Sequence, residues 1–265
     1  MSIEVKNVTF SYPNGHVANE DLNFTIQMGE RVAIVGQNGA GKTTAVKLLN
    51  GLHKPTNGDV LVENINTKEK TVAQISRYVG YVFQNPDDQI FNNTVAKELE
   101  YSFKGVDLSP EEVKKRIDKA VDLTGIGKYM EMKPFDIPYS IRKFVTIAVF
   151  IAMDTPYLIL DEPSAGQDFN GINQLSKIMD VLQDEGKSVI TITHDMEFVA
   201  NNFNRVIAMA NKRIIADDTP REIFWNEEIV QKSNISKTEI GELAKSLGIK
   251  DRNLLFRHEL VNYLC

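Results

Sequence analysis

The spacing of apolar residues divides the chain into stretches with two different periods. Within the first thirty residues, apolar and polar positions alternate in "IEVKNVTFSY" and again in "LNFTIQM". A period of two predicts antiparallel strands that have one face in water. After them, "RVAIVG" is typical of a short buried strand, and "KTTAVKLLNGL" has the apolar spacing of a helix that closes near Gly51. The chain is therefore predicted to begin with an antiparallel sheet followed by a strand–helix unit.

Further strands and helices alternate along the rest of the chain. "GDVLVEN" and "YVGYVFQ" are predicted strands, and residues 109–125 carry the Ser, Pro, acidic and Gly signals of a capped helix. An apolar helix at about 140–153, strand "YLILD", a helix at about 168–185 and strand "SVITIT" follow. This order predicts an α/β fold with a parallel sheet and crossover helices. From about residue 226, short helical patterns indicate a small C-terminal appendage.

Composition narrows the classes of function. A hydrophobic share of 42%, a charged share of 25% and a net charge of −6 are ordinary for a globular protein and argue against a broad nucleic-acid surface. The only cysteine, Cys265, cannot form an intrachain disulfide, which favours a reducing compartment. The start does not resemble a signal peptide, and the apolar run at 145–153 is too short for a membrane span. We expect any membrane role to depend on a partner.

The strongest chemical signal is "GQNGAGKTT", which lies between a buried strand and a helix. Its spacing lets backbone N–H groups surround phosphate oxygens at a helix N-terminus, where the helix dipole is positive. Lys42 can reach the β- and γ-phosphates, and Thr43 can hold Mg²⁺. The alternative is a glycine-rich turn without a ligand. The predicted nucleotide-binding residues are Gly36, Asn38, Gly39, Ala40, Gly41, Lys42, Thr43 and Thr44.

The second signal is "YLILDEP", a predicted strand that carries Asp161 and Glu162 at its C-terminal end. Ligands of parallel sheets bind at this edge. Asp161 would bind Mg²⁺ through water, and Glu162 is suited to accept a proton from an attacking water molecule. A carboxylate pair after a strand is usually only solvated, but its combination with a phosphate-binding loop favours a catalytic interpretation.

Together with Tyr12 in "FSY", "FQNPDDQIF", "LILDEPSAGQD" and "ITHD", these motifs resemble the ATP-binding subunits of ABC transporters. They are most similar to the ATPases of energy-coupling-factor (ECF) importers and their cobalt and nickel relatives. The resemblance covers about residues 2–225 in order. It implies the P-loop ABC ATPase fold: a RecA-like parallel-sheet core, an antiparallel β subdomain and a helical subdomain at about 86–155. Residues 226–265 would form the C-terminal helical appendage.

The resemblance also implies roles for single residues. Tyr12 would stack on adenine, although a core aromatic on a strand is the alternative. Gln84 would sense Mg²⁺ and the attacking water, and it would link the site to the membrane partner. His194 would contact the γ-phosphate and hold the catalytic carboxylate, whereas an isolated histidine after a strand is more often structural. Ser164 and Asp168 belong to the loop with which the family communicates across its dimer.

The polar turn after Gln84 is a candidate coupling surface. In the ECF group this region forms a groove for helices of the membrane subunit, which makes Asp87, Asp88 and Gln89 the candidate contacts. Acidic residues there could pair with arginines of the partner. A solvated acidic loop is the alternative interpretation.

One family motif is degenerate. ABC ATPases carry an "LSGGQ" signature that closes over the ATP of the other subunit, and the corresponding stretch here is "IPYSI", residues 137–141. Pro138 lacks a hydroxyl and a backbone N–H. Tyr139 blocks the close approach that glycine allows, whereas Ser140 can still cap the following helix. Arg142 or Lys143 could add positive charge there, or both could be solvated surface charges.

These observations predict an ECF-type importer ATPase with an asymmetric arrangement. The chain's own hydrolytic residues are complete, so a second ECF-type ATPase with an intact signature is expected as partner. ATP and Mg²⁺ are the implied cofactors. A transmembrane coupling subunit and a substrate-binding membrane subunit are the implied membrane partners, at the cytoplasmic face of the cell membrane. A vitamin, another micronutrient or a transition metal would be the cargo.

Two other functions compete with this one. A soluble ABC-type ATPase acting on DNA or ribosomes is disfavoured by the acidic charge, the single cassette and the lack of a long insertion before residue 137. A regulatory subunit that binds nucleotide without hydrolysing it is favoured by the degenerate signature. Glu162 and His194 argue against this second alternative.

Overall fold

The computed structural model describes residues 1–249 and 254–264, and Cys265 lies outside them. The strands in the described part are β1 (Ser2–Ser11), β2 (Val17–Gln27), β3 (Arg31–Val35), β4 (Asn57–Val62), β5 (Ile65–Asn66), β6 (Val79–Val82), β7 (Tyr157–Asp161), β8 (Ser188–Ile192), β9 (Arg205–Ala210) and β10 (Arg213–Asp218). The α-helices are α1 (Lys42–Leu49), α2 (Val72–Ile75), α3 (Val95–Tyr101), α4 (Pro110–Thr124), α5 (Tyr139–Met153), α6 (Phe169–Asp184), α7 (Met196–Asn202), α8 (Pro220–Trp225), α9 (Glu227–Ser233), α10 (Glu239–Ser246) and α11 (Arg257–Leu264).

The strands form two sheets. The first is antiparallel, in the order β2-β1-β4-β5, and it contains the alternating stretches at the start of the chain. The second has the order β10-β9-β3-β8-β7-β6, in which only the edge strand β10 runs antiparallel to its neighbour. The predicted α/β fold with an antiparallel subdomain is confirmed.

The six-stranded sheet is buried on both faces, because its strands lie between two layers of apolar side chains. In β3, Ala33 and Val35 face one core cluster, which includes residues of α5, α6 and α7. Val32 and Ile34 face a second cluster shared with α1 and the antiparallel sheet. This period of two is what a central strand requires. The C-terminal ends of β3 and β7 lie at the same edge of this sheet. The phosphate-binding loop follows β3 there, and Asp161 and Glu162 lie at the end of β7.

Helix boundaries follow local capping signals. Ser109 accepts a hydrogen bond from the N–H of Glu112, Pro110 takes the first helical position, and Gly125 ends α4 with φ near +70°. This is the predicted capped helix, and its acidic first turn interacts favourably with the helix dipole. The predicted helices at about 140–153 and 168–185 correspond to α5 and α6, and no boundary differs by more than one residue.

The connection between β6 and β7 carries α3, α4 and α5, the counterpart of the predicted helical subdomain. Beyond residue 226, Ile229 and Val230 of α9 still pack against the main core. A separate small cluster joins α10 and α11 through Ala244 and Leu260. The division at residue 226 stays a prediction. Within the described ranges, no helix combines the length and apolar character that crossing a bilayer requires.

Candidate active site

The phosphate-binding loop joins β3 to α1 by way of glycines that no other residue can replace without strain. Gly36 has φ +144°, and an added Cβ would lie 2.2 Å from the carbonyl oxygen of Met209. Gly41, the N-cap of α1, has φ +99°, and a Cβ there would lie 2.5 Å from the carbonyl oxygen of Ala18. Side chains rarely adopt such φ values, so these positions require glycine. The loop therefore leaves its backbone accessible at the helix N-terminus.

Lys42 lies inside this loop with only 6% of its surface exposed. Its Nζ donates to the carbonyl oxygens of Gly36 (2.6 Å) and Gln37 (3.0 Å). Burial lowers the pKa of Lys42, and the nearby carboxylates of Glu162 and Asp161 act in the opposite direction. The ammonium group is thus held close to the carboxylates of Asp161, which ends β7, and of Glu162, the next residue.

Asp161 ends β7 and is almost fully buried. The hydroxyl of Tyr81 donates to its Oδ2 at 2.7 Å. Burial raises the pKa of Asp161; the Tyr81 hydrogen bond and three lysines, Lys47, Lys143 and Lys42, oppose that shift. Burial also raises the pKa of Tyr81, and the negative charge of Asp161 adds to this effect. The carboxylate is therefore oriented by a neutral hydroxyl and surrounded by cations.

Glu162 adopts a left-handed backbone conformation with φ +48°. Its N–H donates to the carbonyl oxygen of Ile192 (2.8 Å), which ties the residue to the end of β8. The backbone N–H of His194 donates to Oε2 of Glu162 at 3.3 Å, and His194 Nε2 lies 3.4 Å from Oε1. Non-glycine residues in this conformation occur often at functional sites, where the surroundings hold them.

These elements enclose one open cavity of about 520 Å³ at the edge of the parallel sheet. It brings together most of the residues that the motifs single out: Tyr12, Asn38, Gly39, Gly41, Lys42, Thr43, Thr44, Gln84, Asp161, Glu162 and His194. Gly36 and Ala40 do not line it, because both are buried beneath the loop. A cavity lined by the P-loop, Lys42 and a carboxylate pair suits a polyphosphate ligand.

The donor set at the inner end of this cavity fits Mg²⁺. Thr43 has an exposed hydroxyl at the start of α1, and Gln84 follows β6 with an exposed amide. Both residues and Asp161 also line an adjoining cavity of about 440 Å³. Hydroxyl, amide and carboxylate oxygens are the ligand type that Mg²⁺ prefers, with substrate phosphates completing its shell.

An aromatic group lies at the outer end of the cavity. The hydroxyl of Tyr12 lies 3.1 Å from Oγ1 of Thr44, and its ring lies edge-on to Phe10. Tyr12 packs against the core but is partly exposed, and its contact with adenine stays a prediction. His16, which the sequence analysis leaves without a role, also lines the cavity, with its ring nearly parallel to that of Tyr12. No sequence motif predicts this position of His16; a turn in which the N–H of Tyr12 donates to the carbonyl oxygen of His16 brings the two residues together.

The degenerate signature lies at the start of α5. Pro138 occupies the N-cap position, Tyr139 is the first helical residue and Ser140 the second. The prediction that Ser140 caps this helix is therefore wrong: the N-cap is Pro138, two residues earlier, and it makes no side-chain hydrogen bond. Tyr139 packs near Gly166, and its hydroxyl donates to the carbonyl oxygen of Gln84 at 3.4 Å.

The two cations after the signature point into the chain. Arg142 Nη1 donates to both carboxylate oxygens of Asp87 (2.8 and 3.0 Å), and its side chain is 16% exposed. Lys143 is 1% exposed, and its Nζ donates to the carbonyl oxygens of Glu162 (2.5 Å) and Ala165 (3.3 Å). Neither is a solvated surface charge. For Lys143, the expectation of a charge offered to a partner's phosphate is also wrong, because the group is buried.

The candidate coupling residues have different surroundings. Asp87 already has an arginine partner within its own chain. The side chain of Gln89 turns inward, where Oε1 accepts from the N–H of Phe83 (3.2 Å) and Nε2 donates to the carbonyl oxygen of Tyr81 (3.0 Å). Asp88 is exposed and lines the adjoining cavity. Of the three, Asp88 is the residue most available to another subunit.

The two dimer-communication candidates lie in the turn after β7. Asp168 accepts a hydrogen bond from the N–H of Gly171 (2.8 Å) and so caps α6. Ser164 Oγ lies 3.4 Å from Oγ1 of Thr193, directly before His194. Both side chains therefore stabilise the turn itself, and their predicted role across a dimer stays a prediction.

Comparison with known proteins finds relatives that are similar in sequence and in structure. The family described as "ABC transporter" matches residues 19–165. The energy-coupling factor transporter ATP-binding protein EcfA of Methanocaldococcus jannaschii is 34% identical over 99% of this chain and 98% of its own length. CbiO1 from Clostridium perfringens, described as part of the ABC transporter complex CbiONQ, has a TM-score of 0.78 and 32% identity over 92% of this chain and 98% of its own. A dimeric post-hydrolysis state of the cassette MJ0796, bound to ADP and Pi, has a TM-score of 0.73 and 26% identity over 82% of this chain and 98% of its own.

Proposed function

Because this chain belongs to the ABC transporter family and is an ATPase of its energy-coupling-factor type, we propose that it powers an importer as one half of an asymmetric ATPase pair. The observation that carries the proposal is a contrast inside the chain. The hydrolytic residues line one cavity, whereas the signature segment (residues 137–141) contains Pro138 and Tyr139, and the two cations that follow it are directed inward. This chain would hydrolyse the ATP bound to its own P-loop. Its degenerate signature would give only weak support to the ATP bound by its partner.

In this proposal the P-loop amides and Lys42 bind the phosphates of ATP, and Tyr12 stacks on the adenine ring. Glu162 accepts a proton from the water molecule that attacks the γ-phosphorus, and the bond to the bridging oxygen breaks to give ADP and phosphate. His194, within 3.4 Å of the Glu162 carboxylate, holds that carboxylate toward the water. Thr43, Gln84 and, through water, Asp161 would hold Mg²⁺, which when bound neutralises charge on the phosphate oxygens.

The partner would be a second ECF-type ATPase with a regular signature. MJ0796, described as dimeric with ADP and Pi, supports a nucleotide-dependent pair of cassettes. Ser164 and Asp168 lie in the turn that would face the second subunit. In a homodimer of this chain, both composite sites would contain the segment of Pro138, Tyr139 and Ser140, so neither would have the donor geometry that stabilises a transferring phosphoryl group.

The descriptions of EcfA as a transporter ATP-binding protein and of CbiO1 as part of an ABC transporter complex support a membrane assembly, in which we propose a coupling subunit and a substrate-binding subunit. This chain would attach to the cytoplasmic face of the membrane through the turn that contains Asp88, and the cargo would be a vitamin, another micronutrient or a transition metal. Closure of the ATPase pair around ATP, and its reopening after hydrolysis, would be transmitted through Gln84 and this turn.

A second function is favoured by the degenerate signature alone. In it, the chain binds ATP only to regulate the pair and does not hydrolyse it. The geometry of Glu162 and His194 opposes this alternative, because a non-hydrolytic site does not need a carboxylate held in a strained backbone conformation beside a histidine.

The deciding experiment is the ATPase rate of the chain alone and of its complex with a co-expressed second ECF-type ATPase that carries a regular signature. We expect weak turnover alone, strong turnover in the complex, and loss of most of it on Glu162→Gln in this chain. Robust turnover by the isolated chain would contradict the asymmetric pair. Unchanged turnover of the complex with Glu162→Gln would favour the regulatory alternative.

A further inference from the structure

Lys143 connects the signature helix to the turn that carries the catalytic carboxylate. We propose that Lys143 is a positioning residue for Glu162: its buried ammonium group holds the backbone turn from which Glu162 presents its carboxylate to the cavity. The inference rests on the proposed function, in that Glu162 is taken as the group that accepts the proton. It concerns a residue of α5 that does not itself line the cavity.

The contacts define how Lys143 could act. It is the fifth residue of α5, and its Nζ donates to the carbonyl oxygens of Glu162 (2.5 Å) and Ala165 (3.3 Å). The N–H of Ala165 also donates to the carbonyl oxygen of Glu162 (3.3 Å). The ammonium group thus bridges two carbonyl oxygens of one tight turn, and it closes that turn from the helix side.

The backbone of Glu162 needs such support. A non-glycine residue at φ +48° is strained relative to a right-handed conformation, so it persists only where its neighbours hold it. The N–H of Glu162 is anchored to Ile192 at the end of β8. On the carbonyl side, the Ala165 N–H and Lys143 provide the anchors. Removing the ammonium group would leave the strained residue anchored on that side by one neutral hydrogen bond, from within the turn itself.

Charge makes this anchor more than a hydrogen bond. Burial lowers the pKa of Lys143, and the carboxylates of Glu162 and Asp161 oppose that shift because each attracts the ammonium group. Lys143 in turn lowers the pKa of Asp161 against the effect of burial. An apolar side chain of the same length would keep the packing of α5 while removing both the donated bonds and this attraction.

The competing explanation is that Lys143 only fastens α5 to the turn after β7. Gln167 provides a matched control, because its Nε2 donates to the carbonyl oxygen of Ser140 (3.1 Å) and so joins the same turn to the same helix without contacting Glu162. A fastening role predicts that loss of either link has a similar effect. A positioning role predicts that only Lys143 matters for turnover.

The first test is steady-state ATP hydrolysis by the complex with the co-expressed partner ATPase. With Lys143→Met, kcat should fall by about 10- to 100-fold, as expected for a misplacement near 1 Å, while KM for ATP changes less than about threefold. Lys143→Arg, which keeps a buried cation, should recover part of kcat, and Gln167→Ala should leave it within about twofold of wild type. Equal losses with Lys143→Met and Gln167→Ala, or an unchanged kcat with Lys143→Met, would overturn the proposal.

The second test does not depend on catalysis. Hydrogen exchange of the isolated chain should become faster in the peptide that spans residues 162–168 when Lys143 is replaced by Met, and it should stay unchanged elsewhere in the sheet. Unchanged exchange in that peptide would overturn the positioning role. If Lys143→Met does not fold, Lys143→Gln, which shortens the side chain and removes its charge, serves in both tests. Unchanged turnover with Glu162→Gln would refute the proposed function separately, and the exchange result would still decide the role of Lys143.

Discussion

The nucleotide cavity and the signature segment of this chain use their charged residues in opposite ways. In the cavity, Lys42 and Asp161 are buried at a cost in free energy, and Glu162 is held in a strained backbone conformation. Directly after the signature, Nη1 of Arg142 is paired with Asp87 and the guanidinium packs against aromatic rings, although its buried Nε has no hydrogen-bond partner. The cavity keeps buried charges and a strained residue available to a ligand, whereas the two cations after the signature are directed into the chain.

This difference fits the proposal that the signature segment gives little support to a partner's ATP. A signature that closes over another subunit's phosphate needs exposed donors and a backbone that a phosphate can approach. Here Pro138 and Tyr139 occupy those positions, and the neighbouring residues have acquired contacts within the chain. Functional sites commonly cost stability, and segments released from function can add to it. The comparison therefore predicts effects on activity at one region and on stability at both.

The largest expected effect concerns the nucleotide cavity, where the hydrolytic residues are complete. In the complex with the partner ATPase, Glu162→Gln in this chain should lower turnover by about 10²- to 10⁴-fold at this site, because the amide cannot accept the proton of the attacking water. ATP binding, measured with a fluorescent nucleotide, should change little. Glu228→Gln, at an exposed glutamate of α9, is the control. A loss of binding equal to the loss of turnover would mean that Glu162 acts in ATP binding instead.

The second largest effect is expected when the residues typical of the family are restored in the signature segment. The test uses a complex in which Glu162→Gln inactivates the ATP site of this chain. The remaining turnover then comes from ATP bound to the partner's P-loop, over which the signature of this chain closes. Pro138→Ser, Tyr139→Gly and Ser140→Gly together should raise that turnover by about tenfold or more, because donors and close approach are restored. The rate of phosphate release measures it. An unchanged rate would show that the segment does not limit the second site.

Much of this contrast could be predicted from the sequence, because the motifs are local. The strand–loop–helix of the P-loop and the strand before Asp161 each follow from a short stretch of residues, and the cavity confirms that they meet. Elements without a strong local signal were missed, such as α3 and the strands β9 and β10. They are short, and their stability depends on packing against distant parts of the chain.

The orientation of the charges after the signature could not be predicted. Arg142 and its partner Asp87 are 55 residues apart, and Lys143 lies 19 residues before Glu162. No local pattern states whether a basic residue at the start of a helix faces water or a buried carbonyl group, because the answer depends on which loop the sheet places beside it. His16 was missed for the same reason, since a turn brings it to the cavity without a motif.

A smaller effect tests whether the signature segment adds stability. Asp87→Asn should lower the free energy of unfolding by about 1 kcal/mol, because it leaves the largely buried Arg142 without its anionic partner. Asp88→Asn, one residue further along and exposed, should leave stability unchanged and should weaken co-purification with the membrane subunit. Thermal unfolding of the isolated chain measures the first effect. Equal stability of the two variants would mean that the Arg142–Asp87 pair contributes nothing to the fold.

The smallest expected effect is a gain in stability rather than a loss, and it concerns Asp161 in the cavity. Because burial raises the pKa of Asp161 above its ordinary value of 3.8, the folded chain binds this proton more tightly than the unfolded chain does. The associated stability is present at acid pH and is lost as the pH rises through the folded-state pKa, so at neutral pH the ionised carboxylate is a net cost.

Asp161→Asn removes that charge and still offers an oxygen to the Tyr81 hydroxyl. We therefore expect the variant to melt a few degrees above wild type at pH 7, at about 2–4 °C per kcal/mol for a chain of this size, with the difference shrinking toward pH 4. Asp184→Asn, at an exposed carboxylate of α6, provides the baseline for thermal unfolding. A variant that is less stable than wild type at pH 7 would mean that the surrounding lysines, rather than desolvation, dominate this end of the cavity. In that case the unfavourable charge of the active site would have to be sought in Lys42 instead.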